Sequence, residues 1–351
     1  MATFGSGNNN RRNSTDNGLT NQFERLLVGQ PGVAKQILPF VEMFEAGLTP
    51  EGRPSGVFLL LGPTGTGKTK SVEALAETLH GSSRNILRID CGEYQMDHEV
   101  AKLVGAPPGY LGHRETQPLL SQARINSVAS ERSSLSIILF DEIEKAAPSM
   151  MRMLLGILDR GILRLGDNNL VNLERTMIFM TSNLGADRMQ KELSPTMGFG
   201  CMNVRDEKGP GAKRLESIGL AAAKKKFSPE FMNRIDATIA YNPLDDKAML
   251  KILDLQIENI QNHIDHRLGA RSFELEVSSR LRKLLLEKGT SIQYGARELK
   301  RTIQRFVLQP LAGVINSGQI PPGSLVDMDL KNGEKILIRI QPEAGEEEEE
   351  S

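Results

Sequence analysis

The sequence predicts an α/β fold in which a parallel sheet is flanked by helices and followed by a smaller, mainly helical C-terminal lid domain with short strands. Three short apolar runs, at residues 57–61, 137–140 and 177–180, have the composition of buried strands, and each ends in Gly or in polar residues. Apolar residues recur at helical spacing between these runs, as they do over residues 72–79. Alternation of buried strands with amphipathic helices is typical of a parallel sheet.

Composition and charge exclude several functional classes. The 351 residues include 43 Lys and Arg against 44 Asp and Glu, a net charge of −1, which argues against a nucleic-acid or anionic-membrane partner. The longest apolar runs are too short to span a bilayer. The two cysteines, Cys91 and Cys201, lack metal-ligand spacing and fit a reducing compartment. A cytoplasmic protein is therefore expected.

The chain is long enough for one large domain and one smaller domain. Residues 1–19 are polar and lack an apolar signal-peptide core, so they are predicted to be a disordered leader. We expect the large domain over residues 20–242 and the lid domain over residues 243–341. Residues 342–351 are rich in glutamate and are expected to form a solvated acidic tail.

The segment between the first apolar run and the following helix matches the phosphate-binding pattern G-x-x-x-x-G-K-[ST] without a mismatch. Its residues are Gly62, Pro63, Thr64, Gly65, Thr66, Gly67, Lys68 and Thr69. The glycines allow backbone N–H groups to converge on phosphate oxygens, Lys68 adds positive charge, and the Thr69 hydroxyl can ligate Mg²⁺. The flanking strand and helix make an accidental Gly-rich turn the weaker interpretation. We therefore expect a nucleoside triphosphate at this loop.

Two carboxylates, Asp141 and Glu142, follow the second apolar run. In a phosphate-loop enzyme, an acid at the end of a neighbouring strand holds Mg²⁺, usually through water, and a second acid can orient or deprotonate the attacking water. Asp141 is accordingly assigned to the metal and Glu142 to the water. The alternative is a solvated acidic pair at a helix N-terminus, where acids are common.

The third apolar run ends in Thr-Ser-Asn, with Asn183 last. In an open parallel sheet the ligand lies beyond the carboxyl ends of the strands, so Asn183 is expected beside the terminal phosphate and the water. Further on, Arg234 lies in a compact segment, residues 227–236, that precedes a last strand over residues 237–241. On local sequence alone, Arg234 could instead pair with Asp236 and have no further role.

Two other segments suggest contacts with partners. Residues 105–112 are too rich in Gly and Pro for a helix or strand and are predicted to be a loop that exposes Tyr110, although the ring could also pack back on the loop's own prolines. Residues 186–226 are polar and predicted to be irregular. Within them, Met197, Gly198 and Phe199 form an apolar island that is either a docking site or a local hydrophobic plug.

The C-terminal part is predicted to be mainly helical. A long helix is expected through residues 249–264, a second through residues 281–285, and a third from Gly295 to about residue 315. The runs at residues 325–330 and 335–340, separated by Asn-Gly, predict a β-hairpin.

Taken together, and in this order along the chain, these motifs resemble the Clp-type AAA+ unfoldases over residues 20–340, most closely the second ATPase module of ClpB and ClpC. The resemblance implies an AAA+ P-loop ATPase that uses ATP and Mg²⁺. It assigns Val28 and Gly29 to the adenine pocket, residues 62–69 to Walker A, and Asp141 with Glu142 to Walker B. It also makes Asn183 sensor 1.

The same resemblance assigns residues outside this group. Arg234 matches the arginine finger that completes the ATP site of a neighbouring subunit, and Arg297 matches sensor 2. The segment Gly109, Tyr110, Leu111 and Gly112 matches the pore loop whose aromatic ring grips polypeptide. Met197, Gly198 and Phe199 fall where ClpC and ClpA have a loop that docks on the ClpP peptidase.

By this resemblance, the protein is expected to be a homo-oligomer, a hexameric ring, that acts as an ATP-dependent unfoldase or remodelling chaperone on unfolded or tagged polypeptides. One alternative is the unfoldase subunit of a two-component protease with a ClpP-type peptidase. An alternative from another class is a nucleotide-gated assembly factor without threading activity.

Overall fold

The computed structural model describes residues 9–105, 118–193, 210–290, 295–331 and 335–342. The chain divides into two compact units. The N-terminal unit comprises Met1–Pro63 with Gly67–Asn242, and the C-terminal unit comprises Thr64–Thr66 with Pro243–Ser351.

The N-terminal unit contains a five-stranded sheet in the order β2-β3-β6-β1-β7, and all its pairings are parallel. Its strands are β1 (Gly56–Leu61), β2 (Leu87–Asp90), β3 (Ser136–Asp141), β6 (Thr176–Ser182) and β7 (Ala237–Ala240). A separate antiparallel hairpin consists of β4 (Ile162–Arg164) and β5 (Leu170–Asn172). The predicted parallel sheet is confirmed.

The helices of this unit are α1 (Asn9–Leu26), α2 (Pro31–Glu45), α3 (Lys68–His80), α4 (Ala101–Val104), α5 (Gln122–Ser127), α6 (Pro148–Arg160), α7 (Ala186–Leu193), α8 (Pro210–Lys226) and α9 (Pro229–Met232). Two 3-10 turns, Cys91–Glu93 and Ile143–Lys145, follow β2 and β3.

The sheet has a hydrophobic core on each face, because successive strand residues point to opposite sides. In β1, Leu59 and Leu61 pack in one cluster with residues of α6, whereas Phe58 and Leu60 pack in the other with residues of α2 and α3. Every residue of β1 and β6 is buried. A central strand covered on both faces must be apolar throughout, which is why these strands are continuous apolar runs in the sequence.

Three features differ from the sequence-based expectations. Helices α7 and α8 lie within residues 186–226, which were predicted to be irregular. The hairpin of β4 and β5 was not predicted. Helix α1 begins at Asn9, so over residues 9–19 a helix replaces the expected disorder.

The C-terminal unit is mainly helical, as predicted. It contains α10 (Asp246–Leu268), α11 (Ser279–Gly289), α12 (Ala296–Ile303) and α13 (Gln309–Asn316), with a π-helical segment over Gln304–Leu308. Its sheet has the order β10-β9-β8, with β8 (Glu274–Val277), β9 (Leu325–Lys331) and β10 (Lys335–Gln341). Strands β9 and β10 are antiparallel, as expected for the predicted hairpin.

Among the residues that the structure describes, no helix is both long and apolar enough to cross a bilayer.

Candidate functional site

The phosphate-loop segment lies between the buried end of β1 and the first residue of α3, Lys68. Gly67 is the N-cap of α3, and its φ of 104° is a backbone conformation that residues with a Cβ rarely adopt. Its cap position has no side-chain hydrogen bond. A phosphate group is a suitable acceptor for the N–H groups at a helix N-terminus such as this one.

Lys68 and Asn183 are brought together at this loop. The Lys68 side chain is buried, and its Nζ donates to Gly62 O at 2.6 Å, to Pro63 O at 2.8 Å and to Asn183 Oδ1 at 2.9 Å. The contact arises because β6, which Asn183 follows, pairs directly with β1. Asn183 thus lies beside the lysine predicted to bind phosphate.

Asp141 is the last residue of β3, and two neighbouring strands hold its carboxylate. Arg88 of β2 forms an ion pair with Oδ2, and the Thr181 hydroxyl of β6 donates to Oδ1. Both partners reach Asp141 because β3 lies between β2 and β6. The carboxylate is therefore oriented at the carboxyl edge of the sheet.

Glu142 leaves the strand with a φ of 57°, in the left-handed region. Its N–H donates to Thr181 Oγ1 at 3.1 Å, and its Oε2 lies 2.5 Å from Lys145 Nζ. The hydrogen bond that Lys145 donates to the Glu142 carboxylate raises the pKa of Lys145, and the negative charge of Glu142 raises it further. The two predicted acids are thus adjacent but are held by different cations.

Further carboxylates lie at the same edge. Burial is the main reason why the pKa of the Cys91 thiol is raised, and the negative charges of Asp90, Asp141, Glu144 and Glu142 raise it further. Negative charge is therefore concentrated where β2 and β3 end.

Arg234 does not pair with Asp236, so the local alternative is wrong. Its Nε lies 3.3 Å from Asp159 Oδ1, and its Nη1 donates to Glu230 O at 2.8 Å. Asp236 instead accepts from Arg53 Nη2 at 2.6 Å and from Val57 N at 2.8 Å. Asp236 therefore fixes the start of β1, and the Arg234 guanidinium is directed elsewhere.

The turn that contains Val28 and Gly29 lies close to the phosphate loop. Leu27 Cδ1 is 3.6 Å from the position that a Cβ would occupy on Gly67. The next residue, Gln30, is buried and its Nε2 donates to Asn242 O at 2.7 Å. The residues assigned to the adenine pocket are thus anchored beside the phosphate site.

These residues fit a nucleoside triphosphate with Mg²⁺. Lys68 and the N-terminus of α3 provide positive charge and N–H donors for phosphates. Thr69 and Asp141 supply one hydroxyl and one carboxylate, which suit Mg²⁺ because that ion retains several waters and uses phosphate oxygens as ligands. Within the described ranges, no group of three or more His, Cys, Asp and Glu side chains is arranged for a metal.

Several predicted residues are not tested by this geometry. Thr64–Thr66 group with the C-terminal unit, as does Arg297 in the first turn of α12. The segment Gly109–Gly112 and the segment Met197–Phe199 both lie outside the described residues.

Four residues that hold the predicted site residues were not predicted from the sequence: Arg88, Thr181, Glu144 and Lys145. The Glu144 carboxylate accepts from Asn183 N at 3.0 Å. Its signal was present in the sequence, because a second acid follows Glu142 after one residue. For Arg88, nothing in the sequence indicates that it pairs with Asp141.

The fold and the phosphate-loop segment together are those of the AAA+ class of phosphate-loop proteins. The family model "AAA domain (Cdc48 subfamily)" matches residues 53–238, and the model "C-terminal, D2-small domain, of ClpB protein" matches residues 244–328. The chain therefore belongs to the AAA domain family, Cdc48 subfamily.

Similar curated proteins are Clp chaperones. The chain is 38% identical to the chaperone protein ClpB of Aquifex aeolicus (strain VF5) over 320 residues, which are 91% of this chain and 30% of that protein. It is 33% identical to the negative regulator of genetic competence ClpC/MecB of Bacillus subtilis (strain 168), over 91% of this chain and 37% of that protein. The chain thus spans about a third of the length of these relatives.

A solved structure of Hsp104, in its closed state with ATPγS and FITC casein, is also similar. It matches with a TM-score of 0.77 and 26% sequence identity, over 96% of this chain and 53% of that chain.

Proposed function

We propose that this chain is the ATP-hydrolysing motor of a protein unfoldase or remodelling chaperone that works as a homo-oligomeric, hexameric ring. The observation that supports it most directly is the group formed by Lys68, Asp141, Glu142 and Asn183 at one edge of the sheet. This edge lies at the carboxyl ends of parallel strands, where α/β proteins bind ligands.

Each residue has a proposed role in ATP hydrolysis. Lys68 and the backbone N–H groups of the loop bind the phosphates, while Thr69 and Asp141 hold Mg²⁺, which neutralises charge on the phosphate oxygens. Glu142 orients and deprotonates the attacking water, and Asn183 helps to position it. Arg88 and Thr181 orient Asp141. Arg297 responds to the nucleotide as sensor 2, and Val28 and Gly29 contact the base.

Arg234 is proposed to act on the ATP of a neighbouring subunit. Its side chain is 22% exposed, and Asp159 and Glu230 hold the guanidinium in a defined position. A cation supplied by the neighbour stabilises charge that develops on the terminal phosphate. Such a shared site requires a head-to-tail contact between subunits, which the proposed ring provides.

The proposed output is threading of unfolded or tagged polypeptide by Tyr110 in the pore loop Gly109–Gly112. An aromatic ring suits this role because it grips by contact area and does not require a particular sequence. The Hsp104 structure similar to this chain contains FITC casein, a polypeptide, which supports a polypeptide substrate here.

The test of the shared site uses two inactive variants. We expect Glu142→Gln to lower ATP turnover by about 10²-fold or more. Arg234→Ala should lower it by about 10³-fold, because an arginine finger contributes to the transition state. Both variants should keep the affinity for a fluorescent ATP analogue. Arg124→Ala, which removes an exposed arginine of α5, serves as the matched control and should retain turnover.

Mixing the two inactive variants distinguishes a shared site from a self-contained one. In a mixed ring, a Glu142→Gln subunit can supply its Arg234 to a neighbour that has an intact Glu142. Partial recovery of turnover on mixing is expected. No recovery in rings that are shown by mass measurement to be mixed would refute the role of Arg234 in a neighbour's site.

The threading proposal requires a separate experiment. Tyr110→Ala should keep ATPase activity but lose the unfolding of a tagged test protein, whereas Tyr110→Phe should keep both because it retains the ring. If Tyr110→Ala unfolds the test protein normally, the chain fits the nucleotide-gated assembly factor better.

A peptidase partner is the second candidate function, and the apolar island Met197–Phe199 within a polar segment favours it. Co-purification with a ClpP-type peptidase that is lost in Phe199→Ser would support it. Recovery of equal amounts of the peptidase with the wild type and with Phe199→Ser would contradict a docking role for Phe199.

A further inference from the structure

Glu144 lies in the 3-10 turn Ile143–Lys145, two residues after the proposed catalytic acid. One of its carboxylate oxygens accepts a hydrogen bond from the backbone N–H of Asn183 at 3.0 Å. The side chain of the same asparagine accepts from Lys68 Nζ at 2.9 Å. A continuous series of bonds therefore runs from Glu144 through Asn183 to the lysine of the phosphate loop.

This arrangement costs free energy. The second carboxylate oxygen of Glu144, Oε2, is buried and has no hydrogen-bond partner among the described residues. A buried oxygen without a partner loses the hydrogen bonds that water would provide. Glu144 also follows Asp141 and Glu142 within the same four-residue segment, so its charge adds to that of two other carboxylates. A neutral residue would fill the turn at lower cost, so stability alone does not explain a carboxylate here.

We propose that Glu144 is a positioning residue for nucleotide hydrolysis. Its carboxylate fixes the backbone of Asn183 and so holds the Asn183 amide at the place where it meets Lys68. Glu144 itself does not touch the substrate in this scheme, and the scheme rests on the proposed ATPase function. Without Glu144, the Asn183 side chain would remain present but would be less precisely placed.

The first test measures steady-state kinetics. Glu144→Ala should lower kcat by about 10-fold to 100-fold, the range expected when a positioned group shifts by about 1 Å. The KM for ATP and the Kd for a fluorescent ATP analogue should change by less than about twofold, because phosphate binding is retained. Glu144→Gln keeps an acceptor oxygen for Asn183 N and should keep most of the activity. Glu93→Ala, an exposed acid in the neighbouring turn Cys91–Glu93, is the matched control.

The second test asks whether Glu144 acts through Asn183. If it does, Glu144→Ala should have almost no further effect on kcat in a chain that already carries Asn183→Ala, since the group it positions is gone. A purely structural role would give the same fractional loss in both backgrounds, together with a lower Tm. That additive result would overturn the proposal.

A third readout does not depend on activity. Hydrogen exchange of the peptide that contains the Asn183 amide should become faster in Glu144→Ala and should be unchanged in Glu144→Gln and Glu93→Ala. Unchanged exchange in Glu144→Ala would show that Glu144 does not hold this backbone and would overturn the proposal. If exchange is faster in Glu144→Ala but the wild-type protein hydrolyses no ATP, the proposed function is refuted and only the structural contact remains.

Discussion

The buried hydroxyl pair of Ser71 and Tyr241 joins the helix after the phosphate loop to the end of β7. Both residues are at most 1% exposed, and their hydroxyls are hydrogen-bonded to each other. Ser71 Oγ donates its own proton to Lys68 O at 2.7 Å, so Tyr241 must be the donor within the pair. Burial raises the pKa of Tyr241, which keeps this donor protonated.

The two single substitutions should therefore have unequal effects on stability. Tyr241→Phe removes one hydrogen bond, while Ser71 keeps its bond to Lys68 O, so the cost is about 1 kcal/mol. Ser71→Ala leaves the buried phenol hydroxyl without an acceptor and removes the bond to Lys68 O, which costs about 2–3 kcal/mol. Adding Tyr241→Phe to Ser71→Ala removes the unpaired donor and should cost nothing further or recover about 1 kcal/mol.

Differential scanning calorimetry of the transition of the N-terminal unit can measure this pattern. For a unit of this size, 1 kcal/mol corresponds to about 2–4 °C in Tm, so Ser71→Ala, at about 2–3 kcal/mol, should lower Tm by roughly 4–12 °C. Ser217→Ala is a matched control, because Ser217 Oγ donates to Arg214 O in the same way but on an exposed face of α8. If Tyr241→Phe lowers Tm equally in the wild-type and the Ser71→Ala backgrounds, the coupling is refuted.

Two further predictions concern acid sensitivity and the C-terminal unit. Burial lowers the pKa of His80 below its ordinary value of 6.5, so the stability that its neutral ring provides is lost as the pH falls below 6.5. When the pH is lowered from about 7.5 to about 5.5, the Tm of His80→Asn should consequently fall less than the Tm of the wild type. An equal fall in both proteins would contradict this. Leu253 of α10 is fully buried, so Leu253→Ala should destabilise the C-terminal unit by about 2–5 kcal/mol in urea unfolding. Leu250→Ala, at a site 43% exposed in the same helix, should change stability by less than about 0.5 kcal/mol, and equal losses would refute the assignment.

The sequence predicted the central strands well because burial on both faces leaves a clear trace. Strands β1, β3 and β6 are apolar runs, and each ends in or is followed by Gly or polar residues at the carboxyl edge of the sheet, where α/β proteins bind ligands. The sequence was less informative for α7 and α8. Helix α7 is largely polar, and the buried positions of α8 recur every four residues but are occupied by Leu215, Gly219 and Ala223, two of which are small, so the apolar periodicity is weak in the sequence.

The residues that hold the site could not be predicted, because they depend on strand order and register. Arg88 pairs in register with Leu139, which places Asp141 two residues further along the same face of the neighbouring strand. Thr181 reaches Asp141 from the other side because β6 is the next strand in the sheet. Strand order and register cannot be read from a local sequence pattern. The phosphate-loop motif can, because all its residues are contiguous in the chain.

The backbone at Glu142 gives an independent reason to regard this segment as functional. Among the described residues, only Glu142 and Asn168 combine a side chain with a positive φ. Asn168 lies in the turn between β4 and β5, and asparagine tolerates the left-handed conformation there, whereas for glutamate it costs roughly 1–2 kcal/mol. The strained residue is therefore the acid proposed to activate water, and the buried unpaired oxygen of Glu144 lies two residues away. Both features reduce stability at one site, which is the pattern expected where catalysis determines the local structure.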